Sequence, residues 1–161
     1  MRRAHPRNRP THAHVSPARR WLVYGAALGL WITGAAWLYF HYFRQAHGAF
    51  GPAPDPSEPW WLKLHGAFAF AALWAFGLMW GVHVVKGWET TRRRWSGALF
   101  VGVLILLIVT AYLLYYLGDD SLRPLVSILH WAVGLGCPGL FLVHRYGLAE
   151  KKARDANGAV E

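Results

Sequence analysis

Four histidines lie in stretches that are otherwise almost free of charge: His65 and His83 in one, His130 and His144 in another. An ionisable ring inside an apolar span is costly to bury and by default marks a function. Neutral imidazole is the commonest nitrogen ligand for metals, and it supplies the axial bond to haem iron that apolar side chains cannot. Four such rings on two helices suggest two haems.

The spacing supports that chemistry. At about 100° per residue, the eighteen-residue step from His65 to His83 completes five helical turns, so both rings leave one face. From His130 to His144 the step closes to within about 40°. Ala69, Ala72 and Phe76 share the His65 face, and Gly134, Cys137 and Phe141 the His130 face, where Pro138 loosens the helix. Small residues beside a ring and aromatic ones around it suit a flat macrocycle, although they also serve close helix packing. The axial rises differ, ~27 Å between His65 and His83 against ~21 Å between His130 and His144. Tilt, a kink near Gly77 or Gly81, or another ligand must absorb the difference. His41 for the outer site and Met79 for the inner one are the lesser alternatives to pairing His65 with His130 and His83 with His144.

No other reacting set accompanies these rings. The sequence offers no catalytic carboxylate pair, no nucleophile beside a base and no phosphate-binding glycine loop. Cys137 is the sole cysteine, so the chain has no internal disulfide and no C-x-x-C-H for covalent haem attachment, which makes any haem b-type. His5, His12 and His14 fall in a polar arm and read as solvated. His41 and His47 read as interfacial side chains.

The elements that must position the ligands follow from hydropathy. Of 161 residues 55% are hydrophobic, yet 17 are Lys or Arg and only 8 are acidic. The charges segregate into tails and loops, leaving runs of roughly 20 apolar residues, the length of a transmembrane helix. The expected spans are Trp21 to Phe43, Trp60 to Val85, Trp95 to Leu117 and Leu122 to Tyr146, with Trp21, Trp60, Trp61, Trp88 and Trp95 at headgroup depth. The fold class is therefore an all-α integral membrane four-helix bundle. Residues 1–20 form a basic tail, 21–146 the membrane domain and 147–161 a second tail. The proline-rich stretch from Gly48 to Pro59 reads as a stiff external loop, and inspection finds no internal repeat.

Basic residues are retained in the cytoplasm during insertion. Arg2, Arg3, Arg7, Arg9, Arg19, Arg20, Lys86, Arg92, Arg93, Arg94, Arg145, Lys151, Lys152 and Arg154 fall on one side, and only Arg44, Lys63 and Arg123 on the other. Both termini are expected in the cytoplasm, with an uncleaved first helix. The basic arm lacks aromatic interleaving or a folded module, so its partner is anionic lipid and not nucleic acid. Lys86 and Arg145 follow the inner pair, and Lys63, Arg44 and Arg123 are the outer cations available to haem propionates.

Four helices, H-x13-H in the fourth (His130, His144), and a second helix opening on Leu64, His65 and Gly66 and closing on Gly81, Val82 and His83 resemble the small bacterial di-haem cytochromes b. That superfamily includes the cytochrome b subunits of membrane-bound hydrogenases and formate dehydrogenases. The resemblance covers Trp21 to Tyr146. It implies two bis-histidine haems b stacked across a bacterial inner membrane, passing electrons between the quinone pool and a redox partner subunit on one face. In several members the first helix supplies a ligand near the cytoplasmic side. Here its one histidine, His41, lies at the opposite end and the second span holds two, as in a distinct branch.

The leading expectation is thus an electron-transfer subunit of an oxidoreductase complex, more than a stand-alone enzyme. The alternative is a haem-free membrane scaffold or assembly subunit anchoring a partner complex, which leaves the paired histidines unexplained. A proton-relaying channel ranks last, because the span interiors hold no Asp or Glu. The glycines Gly25 and Gly29 offer a weak basis for a homo-oligomer.

Overall fold

A computed structural model describes residues 16–48, 51–85, 88 and 94–146. It is all-helical apart from one short hairpin: α1 spans Pro17–Phe43, α2 Glu58–Met79, α3 Arg94–Tyr116 and α4 Leu122–Tyr146. All four helices are long and apolar enough to cross a membrane. Arg2, Arg3, Arg7, Arg9, Lys86, Arg92, Arg93, Lys151, Lys152 and Arg154, together with His5, His12 and His14, lie outside the described residues.

Local chemistry sets the helix ends. Ser16 caps α1 by accepting from the Arg19 amide at 3.4 Å, and Pro17 occupies the first turn, where its missing N–H costs no hydrogen bond. The helix stops at Arg44, which is extended. A two-stranded antiparallel hairpin follows, β1 (Gln45–Gly48) against β2 (Gly51–Pro54), where a loop is expected from the sequence. Pro52 and Pro54 are tolerated there because a two-stranded sheet is all edge. Gly51 adopts φ 117°, open only to glycine.

α2 and α4 begin with one device used twice. The Asp55 carboxylate accepts from the Ser57 amide at 2.9 Å and the Ser57 hydroxyl at 2.6 Å. Asp119 accepts from the Ser121 amide and hydroxyl at 2.8 and 2.6 Å, and from the Leu122 amide at 3.0 Å. Both motifs satisfy amides that helix geometry leaves without partners.

The bundle is built from two hairpins. α1 packs on α2 and α3 on α4, while contact between the hairpins runs mainly from α1 to α4. Gly29 lets Phe68 of α2 close on α1, since a Cβ there would collide with the Phe68 ring. That glycine is therefore consumed within the chain and is not free for an oligomer contact, whereas Gly25 has open space before it. Across the hairpins, Trp31 Nε1 donates to the Leu135 carbonyl at 3.4 Å and Arg145 donates to Tyr24 Oη at 2.9 Å. Tyr24 and Phe141 meet edge to face at 6.1 Å.

The outward faces are strongly apolar: Trp95 is 91% exposed, Tyr115 88% and Phe70 79%. Such a surface is untenable in water and normal against lipid. Among the described residues only Ala26, Ala75, Thr33 and Thr110 are buried. Two of those four are polar, and both lie beside a histidine.

Candidate functional site

His65 and His130 face one another across the two hairpins, with ring centroids 6.4 Å apart and planes at 88°. Further along the bundle, His83 and His144 repeat the arrangement at 6.5 Å and 86°. Each pair takes one ring from α2 or its extension and one from α4. His41 and Met79 belong to neither: His41 is engaged with Glu58, and Met79 precedes the turn that carries His83.

The step from His65 to His83 runs through a distortion of α2. From Trp80 to Val84 the backbone forms a π turn, in which each turn holds more residues and climbs less per residue. The turn sits beside Gly81 and directly carries His83. Pro138 inside α4 removes one helical hydrogen bond between His130 and His144.

For His65 and His130 the neighbours specify which ring nitrogen carries the proton. His65 Nδ1 lies 3.0 Å from the Leu30 carbonyl and 3.4 Å from Thr33 Oγ1. A carbonyl oxygen only accepts, so Nδ1 carries the proton and the lone pair resides on Nε2. His130 Nδ1 lies 2.8 Å from Thr110 Oγ1, and that hydroxyl is also 2.8 Å from the Leu106 carbonyl and 3.1 Å from the Leu107 carbonyl. Its single hydrogen goes to the helix, so it accepts from His130, and again Nε2 keeps the lone pair. His144 Nδ1 contacts Ser96 Oγ at 3.2 Å, and its ring stacks on Phe100 at 5.8 Å and 4°. Ligand histidines are commonly oriented in this way, one nitrogen bonded to the protein and the other offered to a metal.

Space is also provided. A Cβ at Gly34 would stand 2.8 Å from His65 Cε1, so glycine is required for that ring to lie where it does. At Gly97 the equivalent atom would be 3.6 Å from His144 Cε1. The Trp131 indole N–H, next in the chain to His130, is buried without an acceptor.

This arrangement fits a bis-imidazole iron. With metal–nitrogen bonds of about 2 Å and a centroid-to-nitrogen distance of about 1.15 Å, two axial imidazoles hold their centroids about 6.3 Å apart. Among the described residues no three His, Cys, Asp or Glu side chains converge as a metal cluster. A porphyrin supplies four equatorial nitrogens itself, so two rings per iron complete the coordination.

The cations are placed less uniformly. Arg145 at the His144 end is directed to Tyr24 and Tyr146. At the other end Lys63 lies over the Trp60 ring at 4.4 Å and Arg44 pairs with Asp55 at 3.8 Å.

Thr33, Thr110 and Ser96 are the residues that sequence reasoning passes over. Their signal is a hydroxyl in an apolar span, which is common in membrane helices for packing reasons alone. Taken together, the sites reveal a repeated constellation: Thr33, Asp55, Ser57 and His65 in one hairpin recur in order as Thr110, Asp119, Ser121 and His130 in the other. No family model, curated protein or solved structure matches the chain.

Proposed function

We propose that the chain is a b-type di-haem cytochrome subunit of a bacterial cytoplasmic membrane, carrying electrons between the quinone pool and a redox partner. His65 with His130 and His83 with His144 would each hold one haem. One observation carries this reading: two cross-hairpin histidine pairs, at 6.4 and 6.5 Å, share one centroid spacing. Bound there, haem supplies a reversible one-electron couple.

The remaining work belongs to the chain's own side chains. Leu30 and Thr110 hold His65 and His130 in the tautomer that presents Nε2. Phe100 fixes the plane of His144 by stacking. His65, His130 and His144 are half-buried between apolar helix faces, which raises the weight of the hydrogen bonds made to them, whereas His83 is exposed. In this reading both termini are cytoplasmic, so His83 and His144 lie toward the cytoplasm and His65 and His130 toward the outside.

Dithionite-reduced minus oxidised spectra with haem quantification on detergent-purified protein test the proposal. Two b haems per chain, with His130→Ala and His83→Ala each removing one, are expected. Well-folded protein without haem overturns the reading and leaves the scaffold. Reporter fusions at both termini and after Gly118 check the orientation.

A further inference from the structure

The two ends of the bundle balance their charges differently. Asp55, Glu58, Asp119 and Asp120, the acids of the described residues, all lie where α2 and α4 begin, and Arg44 there pairs with Asp55 at 3.8 Å. The opposite end, where α1 begins and α4 finishes, holds Arg19, Arg20 and Arg145 with no acid among the described residues. Positive charge is in surplus there.

Within that surplus lies a cavity of about 300 Å³, lined by Pro17, Arg20, Trp21 and Tyr24 of α1. These positions stand at i, i+3, i+4 and i+7, so they share one helix face. α4 adds a second guanidinium, because Arg145 donates to Tyr24 Oη at 2.9 Å and to Tyr146 Oη at 3.2 Å. Two helices therefore furnish the site.

The lining is a set of donors. Tyr24 Oη already accepts from Arg145, while its own hydrogen, the Trp21 indole N–H and the Arg20 guanidinium engage no described acceptor. Donors beside two guanidiniums select an oxygen anion, and the fork of arginine matches phosphate in shape.

Depth decides which phosphate arrives. Trp21 is 75% exposed, as suits an indole among lipid headgroups. One turn deeper on its face Gly25 has open space before it, and exposed Leu28 and Ile32 continue the stripe. An acyl chain can lie along that stripe with its phosphate among the donors above.

We propose that this cavity binds the phosphate of an anionic phospholipid, with Arg20 and Arg145 matching its charge and Trp21 and Tyr24 donating to its oxygens. Such a site is saturable and local, unlike the diffuse attraction of a basic arm for an anionic surface. Haem plays no part in it.

Native mass spectrometry of the full chain in detergent, titrated with dioleoyl phosphatidylglycerol, tests the site. One such lipid should be retained about tenfold more tightly than dioleoyl phosphatidylcholine, whose choline cancels the phosphate charge. Arg20→Gln should weaken it roughly tenfold, whereas Arg19→Gln, which removes the same charge beside the cavity, should change it by less than about twofold. Helicity should be unchanged in both. Equal weakening by the two variants reduces the binding to net charge and overturns the proposal, as does equal retention of the two lipids. Displacement of the lipid by inorganic phosphate or by a hexaglutamate peptide at equal concentration assigns the cavity to a free anion or to an acidic protein and overturns it too. Haem-free chain that binds phosphatidylglycerol in the expected pattern supports the site and sinks the cytochrome reading alone.

Discussion

Thr110 gives its only hydroxyl hydrogen to the carbonyls one turn behind it, so toward His130 it can act only as an acceptor. A residue on α3 thereby decides which nitrogen of a ring on α4 is available. Thr33 and His65 stand in the same relation in the other hairpin, with the Leu30 carbonyl as the closer partner.

Thr110→Val keeps the side-chain shape and removes that acceptor. Loss of an outer-shell partner typically costs roughly 10–100-fold in metal affinity. Haem titration of the apoprotein should show that loss at one of two sites, with the other unaffected.

Thr33→Val should cost less, although the Leu107 carbonyl also reaches the His130 ring. His65 retains the 3.0 Å bond to Leu30, and the Thr33 contact is the longer one at 3.4 Å. Equal losses in the two variants would show that hydroxyl spacing, not tautomer choice, governs the sites.

Gly34→Ala places a methyl 2.8 Å from His65 Cε1 and must turn the ring or part the helices. Overpacking of this kind costs about 1–3 kcal/mol. Thermal unfolding followed by circular dichroism should fall for Gly34→Ala and stay level for Gly25→Ala, which meets open space. Haem quantification should show the His65–His130 site emptied first.

Acid should loosen the hairpins at their loops. Hydrogen bonds from Ser57 and Ser121, first through their hydroxyls, hold the Asp55 and Asp119 carboxyls below the ordinary value of 3.8. A carboxyl whose folded pKa is depressed stabilises the fold above its unfolded pKa, and that stability is lost as pH falls through the folded one. The share of the unfolding midpoint owed to these two carboxyls should be level above about pH 4 and decline below it. Replacing both aspartates with Asn should flatten that decline.

The helices and their histidine faces were legible because a bilayer imposes length and apolarity on any span, and helical phase follows from counting. The pairing of His65 with His130 follows from the same count. The π turn at Trp80–Val84 was not legible, since the mismatch in axial rise admits tilt, kink or another ligand equally well. Nor were Thr33 and Thr110, whose role depends on which residue of a neighbouring helix stands opposite. The β hairpin escaped notice because four prolines between Gly48 and Pro59 mask strand propensity. The repeated constellation escaped too, because it is carried by four positions at unequal spacing: 32 residues separate Thr33 from His65 and only 20 separate Thr110 from His130.

Each hairpin closes on itself through its own interface, and few ties cross between them. The chain is in effect two complementary modules on one thread. Severed between Val85 and Arg94 and produced as two polypeptides, the halves should insert separately and find each other in the membrane. The histidine pairs, each contributed half by one fragment and half by the other, would then report reunion of the split protein.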